Sequence, residues 1–392
     1  MKSTKLSDKR RKRLASVAFI IIFILIGGYM IYSSFAATGD NTLEPENGII
    51  TSPAVSVTDS TASGTKAVKF SSNTNASCTS SNQHVPDGPD GTGGCWPGPS
   101  NTGPNALEST MTASVYSGSN CTVNTPNVTI DSKIVNCSPL YVGANASGLL
   151  IKNSYLKGGV IQPTGTSASF TIQDSVIDNN VQRPACSNGT CTAGLYACGD
   201  LNNATFICGV GYKNFTILRS EVMHTNRGAY CANNCLIQDS YFHGTNLWPD
   251  PSNKAHASGV RNEQYLTLRH NSLSCDYPGP YPNSDIGCSA DMSGYPDDAP
   301  IMHDTIDKNL FIANPSSFYF CAYGGNTNDG KPYFSDPNNA TYIVFTNNIF
   351  QRGSSGVCGD VGGAPIRDFA LNKTGNVWTN NKYDNGTIVN PN

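Results

Sequence analysis

Phe215-Thr216-Ile217-Leu218-Arg219-Ser220-Glu221-Val222 and, twenty residues on, Cys235-Leu236-Ile237-Gln238-Asp239-Ser240-Tyr241-Phe242 follow one pattern. An apolar residue is followed two positions later by a second, then by two polar residues, Ser or Asn, one spacer and a third apolar residue. The same pattern holds Leu149, Ile151, Ser154 and Leu156; Phe170, Ile172, Ser175 and Ile177; and Leu266, Leu268, Asn271 and Leu273. It continues through Ile306, Asn309 and Phe311 to Tyr342, Val344, Asn347 and Ile349. With Ser or Asn as the register mark, successive intervals are 21, 45, 20, 31, 38 and 38 residues.

A repeat of this length is one coil of a solenoid. Each coil is a few short strands joined by corners, stacked on the next at about 4.8 Å through parallel ladders, and no coil buries its apolar face alone. Alternate residues point inward and become continuous apolar columns. Ser or Asn at one corner suits a tight turn, while the uneven intervals place loop insertions at the other corners. An up-and-down antiparallel barrel is the competing all-β architecture, but its turns would not keep one Ser/Asn register. The expected fold is therefore all-β, a parallel β-helix over residues 111–392.

Upstream, residues 1–13 carry Lys2, Lys5, Lys9, Arg10, Arg11, Lys12 and Arg13 against Asp8 alone, and an apolar run extends from Leu14 to Tyr32. Such a run spans roughly 28 Å as a helix, close to a hydrocarbon core, and the basic flank holds its own end in the cytoplasm. Residues 14–37 are thus expected to be a transmembrane signal anchor or a signal peptide. The length favours retention at the cell membrane, and Ser34-Phe35-Ala36 offers a cleavage site that would release a secreted form. Either way the remainder is expected outside the cell.

Removing the seven basic residues and one acidic residue of that segment from 25 and 28 leaves 18 against 27, so the exported part carries −9. It has no basic stripe, which argues against a nucleic-acid partner. All fourteen cysteines follow the apolar run, an even set in an oxidising compartment. Local spacing pairs Cys78 with Cys95, Cys121 with Cys137, Cys186 with Cys191, Cys198 with Cys208, Cys231 with Cys235, Cys275 with Cys288 and Cys321 with Cys358. Zinc at Cys231 and Cys235 is the rival reading, but no second Cys/His pair stands at ligand spacing.

Residues 38–110 are rich in Gly, Pro, Ser, Thr and Asn and read as an irregular stalk. Within them, Leu43-Glu44-Pro45-Glu46-Asn47-Gly48, Val57-Thr58-Asp59 and Val68-Lys69-Phe70 resemble the opening strands of β-sandwich carbohydrate-binding modules. About thirty residues are too few for such a sandwich, which takes roughly a hundred, so the stretch reads as a remnant serving as spacer.

From Trp96 onward the chain resembles the right-handed parallel β-helix proteins of the pectate-lyase-like superfamily. The resemblance rests on Trp96-Pro97-Gly98-Pro99-Ser100-Asn101-Thr102-Gly103, Arg227-Gly228, Cys231-Ala232-Asn233-Asn234-Cys235 and His256-Ala257-Ser258-Gly259-Val260-Arg261. It extends through Gly287-Cys288-Ser289-Ala290-Asp291, Tyr323-Gly324-Gly325 and Gly375-Asn376-Val377-Trp378. It implies a right-handed coil and a lateral groove for an extended sugar chain. It does not imply one reaction.

A second alignment locates the groove. Gly228 stands twelve residues before Ser240 and Gly259 twelve before Asn271, each followed by a small apolar residue, with Gly209-Val210 nearly equivalent. Stacked this way, Tyr230 and Arg261 lie side by side on the outer surface, Arg227 over Ser258 and Thr225 over His256, with His224 and His243 near the same edge. His224, Arg227, Tyr230 and His243 are the candidate ligand-binding residues for an acidic polysaccharide. For a lyase, Arg261 and His256 are the candidate bases, Asp291 and Asp276 are available carboxylates, and Asp297 with Asp298 would hold Ca²⁺. A hydrolase needs two carboxyl groups instead, and Asp297-Asp298 is the one adjacent acidic pair of the C-terminal loops.

Related β-helix proteins often carry His-x-Asp-Gly where this chain has His256-Ala257-Ser258-Gly259. That departure removes a carboxylate and favours binding without reaction. A hydrogen-bonded corner residue is the plain alternative for His243 and His270, and turn formation is the plain alternative for the loop aspartates. Tyr281, Tyr295, Tyr319 and Tyr323 either stack on sugar rings or cover the core. The leading expectation is a cell-surface protein that binds polysaccharide; the alternative is a polysaccharide lyase or glycoside hydrolase.

Overall fold

The structure is a computed structural model, and it describes residues 54–58, 66–70, 78–118, 121–162, 165–179, 208–246, 256–277, 287–313, 320–328, 330–359 and 364–391. Among these, no helix is long and apolar enough to cross a membrane. The apolar run at 14–32 lies outside the described residues, as do Tyr281, Tyr319 and the cysteines at 186, 191 and 198. Ala54–Thr58 and Lys66–Phe70 form an antiparallel hairpin in a unit of their own, residues 1–73.

Residues 74–392 form the second unit, a parallel β-helix of three sheets. Each coil contributes one strand in turn to sheet I (ten strands, Thr112–Gly118 to Lys382–Tyr383), sheet II (nine, Cys121–Val123 to Ile366–Arg367) and sheet III (nine, Thr129–Asp131 to Val377–Thr379). Insertions sit between sheets I and II after Asp178, His243, Leu273, Phe311 and Phe350, and between II and III after Gly294 and Gly324. From Lys152 onward, the corner from III to I is always two residues.

The first residue of that corner adopts positive φ, between 46° and 58°, at Asn153, Asp174, Arg219, Asp239, His270, Lys308, Asn347 and Asn380. The second residue points inward. It is not simply the turn former that the repeat suggests: Ser154, Ser175, Ser220, Ser240, Asn271, Asn309, Asn348 and Asn381 are all fully buried and bond along the axis. The Ser154 N–H donates to Ser175 Oγ at 3.1 Å, Ser175 N–H to Ser220 Oγ at 3.2 Å and Ser220 N–H to Ser240 Oγ at 3.2 Å. Ser240 N–H then donates to Asn271 Oδ1 at 2.9 Å, and Asn271, Asn309 and Asn348 continue the chain to Asn381. A corner strands backbone N–H groups, and this internal ladder satisfies them where water cannot reach.

One register mark is corrected. Asn309 pairs with Asn348, not Asn347, so Phe345 and Phe350 face the core and Val344 and Ile349 face outward. A one-residue shift exchanges the two faces of a strand. The core columns run Ile172, Ile217, Ile237, Leu268, Ile306 and Phe345 in sheet III, and Ile177, Val222, Phe242, Leu273, Phe311 and Phe350 in sheet I. Sheet II answers with Leu140, Val160, Val210, Ala229, Val260, Met292, Ala322 and Ile366. A Cβ on Gly228 would lie 2.4 Å from Phe242 Cδ1, so the Phe ring requires the glycine expected to stack there.

Five of the expected disulfides are present: Cys78–Cys95, Cys121–Cys137, Cys231–Cys235, Cys275–Cys288 and Cys321–Cys358. Cys208 is also disulfide-bonded, with Cys186, Cys191 and Cys198 outside the described residues. Residues 78–110, in the segment whose composition suggests a stalk, run as a strap along the coils. Gln351 Nε2 donates to His84 O at 2.6 Å, Gly103 N–H to Arg219 O at 2.9 Å, and Lys157 pairs with Glu108 at 2.7 Å. Midway, Trp96 stacks on the His270 ring at 5.4 Å, while His270 pairs with Asp239 at 2.6 Å and Asp90 at 3.3 Å. Burial opposes the charge on His270, yet these two carboxylates raise its pKa to about 9.

Candidate functional site

Sheet II positions the candidate face. Its register aligns Gly211, Tyr230, Arg261, Ser293, Tyr323 and Arg367 in one outward column, and Cys208, Arg227, Ser258 and Ala290 in a second. Tyr230 beside Arg261 and Arg227 beside Ser258 match the stacking expected from the glycine alignment. The outer-surface expectation does not hold: Arg227, Tyr230 and Arg261 are 8%, 3% and 6% exposed. The segment from Tyr295 to Asp298, inserted after sheet II, lies against Arg261 and Tyr230, and Lys331, from the next such insertion, lies against Asp297 and Tyr295.

Two carboxylates from that insertion take different roles. Asp297 forms ion pairs with Arg261 and with Lys331 Nζ, the latter at 2.9 Å. The aromatic surroundings of this group are dense: the Arg261 guanidinium lies over Tyr230 at 5.4 Å and over Tyr295 at 5.3 Å, and Lys331 lies over Tyr295 at 4.9 Å. Asp298, exposed at the rim, accepts from Tyr212 Oη at 3.2 Å, and its Oδ2 lies 2.7 Å from Tyr230 Oη. Tyr230 Oη is also 2.7 Å from Glu263 Oε1, to which the Asp298 N–H donates at 3.0 Å.

This geometry fixes a proton. A phenol donates one hydrogen, so Tyr230 cannot donate to both carboxyl groups, and the second 2.7 Å contact requires a proton on a carboxyl group. Glu263, 1% exposed, is the group that holds it. Its burial outweighs the hydrogen bond with Tyr230 and the charge of Arg261, and its pKa rises to about 7. Burial, with Arg261 nearby, lowers Arg227 to about 9, and burial with Glu263 nearby moves Tyr230 well above the usual phenol range. An acid protonated near neutrality beside a second, solvent-facing carboxyl group, Asp298, is a pair capable of proton exchange.

The same geometry bears on Ca²⁺. The two carboxylates expected to hold it have other partners here: Asp297 faces two cations, and Asp298 Oδ2 accepts from phenols. The grouping of Asp291 with Cys321 and Cys358 has metal-like proximity, but the cysteines are joined in a disulfide. Asp291 is fully buried, and its Oδ1 accepts the Cys275 N–H at 2.8 Å.

The histidines lie elsewhere on the coils. His224 bonds Asp178 at 2.7 Å, and His243 bonds Glu221 at 2.7 Å while stacking on Tyr241 at 4.1 Å; His224 follows the sheet I strand Glu221–Met223, and His243 ends the strand Tyr241–His243. His256 is exposed at the start of its sheet II strand, with Nδ1 3.1 Å from Ser289 Oγ, and pairs in register with Gly287. Asp276 caps the N–H groups of Gly244 and Thr245 at 2.9 and 2.7 Å.

Sequence reasoning missed Glu263, Tyr212 and Lys331. Glu263 could have been found, since it follows Arg261-Asn262 as the strand leaves sheet II. Tyr212 follows Gly211, which stacks beside Tyr230. Lys331 carries no sequence signal, arriving from a loop between sheets. No family model, curated protein or solved structure matches the chain.

Proposed function

We propose that the protein binds polysaccharide at the cell surface, using the outward face of sheet II and the segments folded over it, on a scaffold of the pectate-lyase-like kind. The observation that carries the reading is the frame of Arg261, Lys331, Tyr230 and Tyr295: two cations placed to hold a carboxylate between aromatic rings. Arg and Lys recognise acidic sugars through charge-assisted bonds, and aromatic rings offer apolar faces to sugar C–H groups. The disulfides support an oxidising, extracellular setting, and the basic and apolar N-terminus supports attachment to the membrane through a single helix.

The test is a binding screen of the full-length protein, purified in mild detergent, against acidic and neutral polysaccharides. Binding of an acidic chain that weakens with salt is expected. Lys331→Ala and Tyr295→Ala, both only half-buried, should each weaken it about tenfold, the loss of one to two kcal/mol typical of a single such contact, with little change in melting. Absence of acidic-glycan binding, or indifference to both changes, would sink the proposal.

Catalysis is a second reading, drawn from Glu263 and Asp298 on either side of the Tyr230 hydroxyl, no farther apart than two hydrogen bonds. Paired carboxyls favour hydrolysis over elimination. New reducing ends without unsaturated products would support it.

A further inference from the structure

We propose that Asp297 is a built-in stand-in for the carboxylate of an acidic sugar, occupying a uronate subsite formed by Arg261, Lys331, Tyr230 and Tyr295 until a ligand displaces it. The inference rests on the polysaccharide reading and adds to it the position of one sugar carboxylate and the internal group that competes for it.

Arg261 is 6% exposed, and a buried guanidinium without an anion is costly. Asp297 supplies that anion, and the same carboxylate also meets Lys331 at 2.9 Å. Its side chain is 30% exposed, so this partner of the buried Arg261 is itself in contact with solvent. Every side-chain interaction described for Asp297 is with these two cations. The backbone around it is held separately: Asp298 N–H donates to Glu263 Oε1 at 3.0 Å, Tyr333 N–H to Pro296 O at 3.2 Å, and Tyr295 packs on Tyr323 at 4.9 Å. The carboxylate can therefore swing out while its segment stays anchored.

A uronate carboxylate would remake the same two charged contacts, and its ring would meet Tyr295, which lies beside both cations. An isolated monosaccharide gains little from the exchange, because it replaces an intramolecular partner already in place. A chain bound along several coils can displace Asp297. A closed form holding about 90% of molecules would weaken apparent binding about tenfold.

The experiment compares full-length wild type with Asp297→Ala and Asp297→Asn by thermal melting in galacturonate, galactose or acetate at equal millimolar concentration, and by titration with polygalacturonate. The variants should melt below wild type, and galacturonate should restore most of that loss while galactose and acetate do not. Wild type should not respond to the monosaccharide, and the variants should bind the polymer about tenfold more tightly, the factor set by the closed population. Asp297→Asn, nearly isosteric, provides the answer if the alanine variant does not fold. Failure of galacturonate to raise melting of either variant overturns the inference even if wild type binds polysaccharide. Equal rescue by acetate overturns it too, since the hole would then accept any carboxylate. Rescue by galacturonate with no polysaccharide bound by wild type would uphold the subsite and sink the broader reading instead.

Discussion

Glu263→Gln isolates the proton inferred at the centre of the site. Glu263 is 1% exposed, and its pKa is raised from 4.5 to about 7. The folded chain therefore holds this proton more tightly than the unfolded chain. The stabilising contribution is complete below about pH 4.5, declines as pH rises toward 7, and is gone above it. The shift corresponds to roughly 3 kcal/mol across that window, an order-of-magnitude figure from 1.36 kcal/mol per unit. Glutamine keeps a carbonyl oxygen that can accept from Asp298 N–H, and it never ionises. The variant should match wild type near pH 4.5 and exceed it by about 2 to 3 kcal/mol at pH 8. At about 2 °C per kcal/mol for a domain of this size, the gap is near 5 °C in melting temperature. Scans from pH 4.5 to 8.5 with disulfides intact measure it, and groups common to both proteins cancel in the difference. A gap that stays flat with pH, or a variant less stable at pH 8, would mean that Glu263 is ionised in the folded chain and the one-proton account of Tyr230 is wrong.

The internal ladder and the strap give two further expectations. Asn309→Ala removes the acceptor for Asn271 N–H and Nδ2 and the donors to Leu268 O and Asn348 Oδ1, all buried, and should cost about 3 kcal/mol by chemical denaturation; a loss under half that would show that the coils close the corner without it. His270, with its pKa raised from 6.5 to about 9, should stabilise the strap fully below pH 6.5 and lose that contribution as pH rises through 9. Hydrogen exchange at residues 87–96 should therefore speed up across that range in wild type beyond its intrinsic pH dependence, and a His270→Gln protein showing the same excess would contradict the assignment.

The coil pattern was legible because each coil needs the same three inward residues and the same corner. Ser154, Ser175, Ser220, Ser240, Asn271 and Asn309 mark it in the sequence as they do in the fold. The reading slipped where two registers were equally readable. Asn347-Asn348 offers two adjacent marks, and Val344-Phe345 and Ile349-Phe350 offer an apolar residue in either register. Only the contacts with Asn309 below and Asn381 above select Asn348. The positive φ at Arg219, His270 and Lys308 was illegible for a related reason. These residues are not turn formers by type; they hold that conformation because their N–H groups bond the next coil's carbonyls, at 3.0, 3.1 and 3.0 Å.

The site divides along the same line. Which side chains share a face follows from strand register, so Tyr230 beside Arg261 and Arg227 beside Ser258 could be read from spacing. Whether that face meets water depends on insertions, and Tyr295, Asp297, Asp298 and Lys331 come from segments with no repeat to align. Their arrival changes the chemistry of the residues beneath. An exposed arginine is a free clamp for a sugar acid, and replacing it tests binding alone. At 6% exposure Arg261 is part of a buried charge network with Asp297 and Lys331, and Arg227 is desolvated enough for its pKa to fall to about 9. Truncating both arginines would leave Asp297 without its buried partner and a void against Tyr230, so loss of binding would come with loss of the fold. Lys331 and Tyr295 reach the same carboxylate position from the solvent side, which makes them the residues whose removal separates recognition from stability.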